Sequence, residues 1–384
     1  MQKLIISGLA LTALFITSCG KKENVIPPTV VEQKIPYTSL TSASGYKATF
    51  IGADGLTTVN YQGQTDRINM LKEMDNYIKT GTTANLDAAK LANMFRNQKA
   101  PFTSAALNAA SDKVISSKTA QSFSATESDV ERQRFIGYFN ELERISKMNG
   151  NPAAQGTAGV LGGNRLVDEK GFELSQFVQK GLIGAMMLDQ IANIYLGTEK
   201  QAADNTASVS GKNYTALEHH WDEAYGYLTA NETYPIKGSE SFLGEYIRQG
   251  TFYNGGNENF YLAFLKGRAA IVNNDMATRD AQITYIRTEL EKAIATVAIS
   301  YLNKTNTATD DASRFHSLSE GVGFIYSLRF AHNAKINKAK SEELLNILMG
   351  KTNGFWSLTP ADINSVRDQV ANTFGIDKNV VVNH

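Results

Sequence analysis

From Gln64 onward the apolar positions of the chain recur at threes and fours. In "TDRINMLKEMDNYIKTG" Ile68, Leu71, Met74 and Ile78 share one face and Gly81 closes the segment. That spacing predicts an amphipathic helix with a glycine stop. The same period marks 86–97, 103–117 and 127–148, the last carrying Phe135, Tyr138, Phe139, Leu142, Ile145 and Met148. A Gly/Asn-rich loop follows, "NGNPAAQGTAGVLGGNRLVDEKG". After it, "FELSQFVQKGLIGAMMLDQIANIYLG" is apolar nearly all round, which predicts a helix at the centre of a bundle. Gln176, Gln179, Gln190 and Asn193 fall on one side of it. Buried amides need partners, so that stripe is expected to face polar groups or ordered water.

Further helices are predicted over 213–229, 258–273, 277–302, 313–331, 339–349 and 360–373. Strand-like alternation is not sustained anywhere. The stretch "YTSLTSASGYKATFIGADGLTTV" reads as a short extended piece, and Pro235 is the only proline between Gly156 and Trp356. These patterns predict an all-α protein of long-helix bundles, one large or two abutting. A chain of 384 residues can bury either arrangement.

The N-terminus changes the picture. "MQKLIISGLALTALFITSCG" has one early lysine, an apolar run from Leu4 to Ile16, and small residues before Cys19, the only cysteine. The run is short for a membrane span and reads as a secretory signal over residues 1–18. Cys19 stands where the lipobox of a bacterial lipoprotein places its lipidated cysteine, so a lipid anchor on Cys19 is expected. A lone cysteine leaves no intrachain disulfide. Residues 19–36 hold three of the seven prolines without periodicity and read as a flexible tether. The all-helical domain then occupies 37–384. Charge adds only exclusions: 38 basic against 38 acidic residues leave no basic excess for a nucleic-acid groove.

Two helices carry candidate chemistry. Along "YTALEHHWDEAYGYL", Tyr214, Leu217, Trp221, Ala224, Tyr225 and Leu228 form the apolar face, with His220 at its edge. His220 and Glu223 at i and i+3, and His219 and Glu223 at i and i+4, can each reach one point. Imidazole and carboxylate at that spacing are how helical bundles assemble metal sites. A solvated polar face is the plainer reading. Along "RFHSLSEGVGFIYSLRF", His316, Glu320, Gly323 and Ser327 share a narrow stripe in an otherwise apolar helix. A carboxylate buried there must be paired, protonated or metal-bound. A His316–Glu320 pair that only satisfies itself is the plainer reading. Gly321 and Gly323 suggest a close approach to the backbone. Both histidine–glutamate pairs are expected to line one shared polar pocket, with His220 and Glu223 binding and His316 and Glu320 completing it. His332 and His384 have no evident supporting partners. HExxH, Walker and GxSxG motifs are absent, which excludes their usual chemistries.

"HHWDE" resembles the HxxE motif of the imelysin family, carried here by His220 and Glu223. Imelysins place a glycine two residues before the histidine, where this chain has Glu218. The resemblance implies an imelysin-like helical fold, a role in iron or haem acquisition, and iron or another divalent metal as ligand. A broader resemblance covers nearly the whole mature chain. "NRLVDEKGFELSQFVQKGLIGAMMLDQI", "YTALEHHWDEAYGYL" and "HSLSEGVGFIYSLRF" resemble a Bacteroidota lipoprotein family defined by a domain of unknown function. It implies an outer-membrane lipoprotein, facing the periplasm or the outside, with an outer-membrane receptor or an imelysin-like protein as partner. It also makes Arg165 and Asp168 candidates for ligand binding, with Glu173 beside them. Their structural alternative is an Arg165–Asp168 pair fixing the glycine loop and a first-turn Glu173 facing the helix dipole. The expected function is a binding lipoprotein for a metal or metal complex. The alternatives are a structural, partner-binding lipoprotein and an HxxE metallopeptidase drawing a third ligand from His316 or Glu320.

Overall fold

The computed structural model describes residues 34–236, 242–253 and 257–382. Cys19 and His384 lie outside them. Residues Gln33–His384 form one unit. In chain order its longer helices are α1 Gln62–Lys79, α2 Ala88–Arg96, α3 Ala125–Ser146 and α4 Leu174–Leu182. Then come α5 Ala216–Leu228, α6 Leu243–Tyr253, α7 Asn257–Val272 and α8 Met276–Thr307. α9 Asp311–Leu328, α10 Lys338–Met349 and α11 Pro360–Phe374 complete the set. A two-stranded antiparallel hairpin, β1 Gly159–Leu161 and β2 Arg165–Val167, sits in the Gly/Asn-rich loop. The fold is all-α.

α8 is the axis. Its second half, Ala293–Leu302, is buried on every side, because α6, α7, α9 and α11 all pack against the helix. Small and β-branched residues let four neighbours approach; Thr296 Oγ1 donates to the Lys292 carbonyl at 2.8 Å within the helix, and Ser300 Oγ accepts from the Val382 amide at 2.9 Å. α9 is likewise buried without a break from Leu318 to Leu328. It lies against α8 on one side and α4 on the other. A Cβ added to Gly323 would meet Lys180 Cβ at 2.4 Å, so the expected close approach is that of α4.

α4 does not end at Leu182. It continues through two π-helical stretches, Ile183–Leu188 and Gln190–Tyr195. π-turns carry an extra residue and are enriched at functional sites. The first stretch packs on α9 and the second on α5. The amide stripe finds partners in part: Gln190 Nε2 donates to Gln121 Oε1 at 2.9 Å, and Asn193 Nδ2 to the Phe330 carbonyl at 2.9 Å, while among the described residues the buried Gln176 and Gln190 side-chain oxygens have no donor.

Two expectations are corrected. The period over 103–117 gives two short helices, Ala105–Ala109 and Ile115–Lys118, rather than one. Asn97 Nδ2 donates to the Ala110 and Lys113 carbonyls, both at 2.9 Å, and so holds the turn between them. The expected extended piece near residue 50 is a single helical turn, Tyr46–Thr49, followed by one isolated bridge between Ile51 and Thr57.

Candidate functional site

α5 begins with a capping box. Thr215 Oγ1 accepts from the Glu218 amide at 3.2 Å, and Glu218 Oε2 accepts from the Thr215 amide at 2.8 Å. This fixes the start of the helix and so the rotation of the two histidines. Glu218 also accepts from Arg268 at 2.8 Å through Oε1, so the residue that departs from the imelysin pattern has two structural duties.

Glu223 sits where α1, the second π stretch and α5 meet. Its Oε2 lies 2.9 Å from His220 Nδ1. Its Oε1 accepts from Gln64 Nε2 at 3.0 Å and from the Tyr195 hydroxyl at 3.1 Å, with His219 Nε2 at 3.9 Å. The His219 ring stacks on Tyr214, centroids 4.8 Å apart. Burial works against the Glu223 charge, but His220, then His219 and Gln64, hold its pKa below the ordinary glutamate range. Burial presses the His219 pKa down despite Glu223. The carboxylate is therefore ionised and already surrounded by protein donors.

The α9 stripe belongs to a different network. Glu320 Oε1 pairs with Lys180 Nζ at 2.9 Å, and both side chains are about 95% buried. Burial opposes both charges; each outweighs that cost for the other, so Lys180 is raised and Glu320 lowered. The Tyr301 hydroxyl also bonds Glu320. His316 bridges two carboxylates: Nδ1 lies 2.7 Å from Glu173 Oε2 and Nε2 lies 3.7 Å from Glu320 Oε2. Arg165 Nη1 reaches Glu173 Oε1 at 3.7 Å. The result is a run of alternating basic and acidic side chains, Arg165–Glu173–His316–Glu320–Lys180. At its outer end Arg165 and Glu173 line a cleft of about 250 Å³ with Asn164 and Gln176.

The shared pocket is not what the structure contains. The two histidine–glutamate pairs have no hydrogen-bond partner in common, and α5 and α9 are not among the helix pairs that pack broadly together. α5 packs on α1, α7 and the π stretch, whereas α9 packs on α8 and α4. Among the described residues no group of three or more His, Cys, Asp or Glu side chains is arranged to hold a metal ion. The two nitrogens of His316 face different carboxylates on opposite ring edges, and an ammonium already fills the cation position at Glu320.

The Arg165–Asp168 pair is also corrected. Asp168 Oδ1 accepts from the Lys170 and Phe172 amides at 2.9 and 2.8 Å and holds the turn into α4. Burial pushes the Asp168 carboxyl up to about 6 against those two bonds. Arg165 turns to Glu173 instead. Glu173 stands at the N-cap of α4, yet its side chain makes no capping bond and faces His316.

One network escaped the sequence reading. Asp222, inside "HHWDE", is fully buried and accepts from Arg268 Nε at 3.0 Å and the Tyr46 hydroxyl at 3.0 Å. Arg268 is fully buried too, over the Phe50 ring. Burial pushes the Asp222 carboxyl up to about 7, against the pull of Arg268. The available signal was a lone arginine in the apolar run of α7, which needs an acid to be buried.

The architecture and the buried charge networks define an all-α helical protein whose polar core is built of paired groups. The chain belongs to the family of the domain of unknown function DUF4856, which matches residues 47–377. No curated protein and no solved structure matches it. Among the described residues no helix is long and apolar enough to cross a membrane.

Proposed function

We propose that the chain is a non-catalytic binding protein of the cell envelope, tethered by a lipid on Cys19, whose histidine–glutamate clusters hold its helices together. The observation that carries this reading is the occupancy of the two carboxylates. Glu320 is neutralised by the buried Lys180 ammonium at 2.9 Å, and Glu223 accepts from Gln64 and Tyr195 besides facing His220. A metal at either place would have to displace donors already at hydrogen-bond distance.

A second reading, capture of iron, haem or another metal complex, follows from the imelysin resemblance. The observation in its favour is that His219 and His220 both turn toward Glu223, at 3.9 and 2.9 Å. An outer-membrane receptor or imelysin-like partner belongs to this second reading. Elemental analysis of protein purified from its own envelope separates the two. The first expects no stoichiometric metal, and a lower melting temperature for His220→Ala. One metal per chain, lost in His220→Ala with the fold intact, would move the assignment to the second. Hydrolysis of a protein substrate, abolished by a chelator, would sink both. Cys19→Ala should shift the protein out of the detergent phase; unchanged partitioning would remove the tether.

A further inference from the structure

His332, without evident partners in the sequence, lines the edge of a cleft of about 400 Å³ between α8, the segment after α9 and the end of α11. Three cations line it: Arg287 and Lys292 from α8, and Lys335 from the segment after α9. Among the described residues none of the three is in an ion pair. The Arg287 fork donates through Nε to the Ala192 carbonyl and through Nη2 to the Leu196 carbonyl, both at 2.8 Å. Nη1 has no partner. Arg268, Arg329 and Arg134 each meet a carboxylate, whereas among the described residues Arg287 meets only main-chain oxygens. Burial lowers the Arg287 pKa and no acid raises it.

Among the described residues Glu291 is the one carboxylate in the cleft wall. It accepts the Lys335 amide at 2.6 Å and is itself buried. His332 adds no charge at neutral pH, because burial and then Arg287 hold its pKa down. Its Nδ1 is fixed by Asn193 Oδ1 at 3.1 Å, so the second π stretch supplies both the carbonyl that anchors Arg287 and the amide that orients His332. Three cations against one carboxylate leave two positive charges around a single concavity. The helix end facing Arg287 offsets about half a unit of that. Keeping like charges together around a hollow is unfavourable unless an anion enters it.

We propose that this cleft binds a small organic dianion, a phosphate monoester or a dicarboxylate, whose charged end meets Arg287, Lys292 and Lys335. The cleft has the size of an ordinary small-molecule site and holds far more than a bare oxyanion, at about 30 Å³ per displaced water. The Phe374 ring, over which Lys335 Nζ lies at 5.3 Å, gives the organic part an apolar wall. The proposal rests on the binding-protein reading and names its ligand class.

The test is calorimetric titration of the full-length protein at low ionic strength with inorganic phosphate, phenyl phosphate and succinate. Saturable binding with Kd of about 1 mM or tighter is expected for at least one of them. Lys292→Gln and Lys335→Gln should each weaken it about tenfold or more, since each removes a charge-assisted contact. Both positions are at least partly exposed, so both variants should fold. Binding of the phosphates alone identifies a phosphate ligand, and binding of succinate alone a carboxylate ligand. No saturable binding of any probe below about 10 mM, or equal affinity in the doubly substituted chain, overturns the proposal. Neither lysine touches the histidine–glutamate clusters, so this result stands apart from the metal measurement.

Discussion

Replacing Lys180 by methionine tests whether the α9 stripe is a structural ion pair. Lys180 and Glu320 are both nearly fully buried, and their charged atoms lie 2.9 Å apart. Methionine keeps most of the lysine stem, so little cavity is created. What is lost is the counter-charge, and breaking a buried pair from one side costs about 3–5 kcal/mol. With an m-value of about 3 kcal/mol/M, the urea midpoint should fall by about 1 to 1.7 M. Adding Glu320→Gln in the same chain removes the stranded charge and keeps an acceptor for Tyr301, so most of the loss should return. The sign with pH follows from the lowered Glu320 pKa. Its stabilising contribution is full above the unfolded value of about 4.3 and disappears as pH falls through the lower folded value. In Lys180→Met that acid-side loss should vanish. A single-variant cost below about 1 kcal/mol would refute the reasoning. So would a double variant no more stable than Lys180→Met alone.

Three further expectations are open to measurement. Asp168→Asn should keep the two amide bonds, remove the fall in stability as pH rises from about 4 to 6, and leave the protein as stable or more so at pH 7, by chemical denaturation. Gly323→Ala gains about 1 kcal/mol of helix propensity but drives a methyl to 2.4 Å from Lys180 Cβ; a net loss of about 1–2 kcal/mol is expected, and a gain would mean that α4 and α9 are not so close. Arg268→Met strands Asp222 and Glu218 and should cost about 3–5 kcal/mol, read as a drop in melting temperature that Arg268→Met/Asp222→Asn partly recovers.

Periodicity made the long helices legible because burial on one face writes itself into spacing at threes and fours. It failed where tertiary contact replaces propensity. α6, "LGEYIRQGTFY", was not anticipated, since Gly244 and Gly250 make it a poor helix by itself. Both glycines are places of contact: a Cβ at Gly244 would meet the Leu228 carbonyl at 2.8 Å, and one at Gly250 the Ala293 carbonyl at 2.6 Å. The candidate site was half legible in the same way. Spacing within a helix correctly paired His220 with Glu223, and set His316 within 3.7 Å of Glu320. It could not show Gln64, Tyr195, Glu173 and Lys180 arriving from other helices, and those arrivals separate the two pairs. The cleft around Arg287 was invisible for a related reason. Its cations are ordinary surface residues in the sequence, and only the fold shows that three of them gather around a single carboxylate, Glu291.

The interrupted α4 rod behaves as a shaft whose two ends are keyed to different machinery. One end turns Lys180 into the α9 core; the other turns Tyr195 toward Glu223 and lends its carbonyls and Asn193 to the Arg287 cleft. Each π-turn is one residue out of step with an α-helix, and one residue is about 100° of rotation. Deleting a single residue between Gly184 and Asn193 would leave a more regular helix and a misdirected one. Lys180 would still face Glu320, while Tyr195 and Asn193 would swing away from both of their sites. Length in this segment is therefore under tighter constraint than composition: a methionine exchanged for leucine there should be tolerated, and a methionine removed should not.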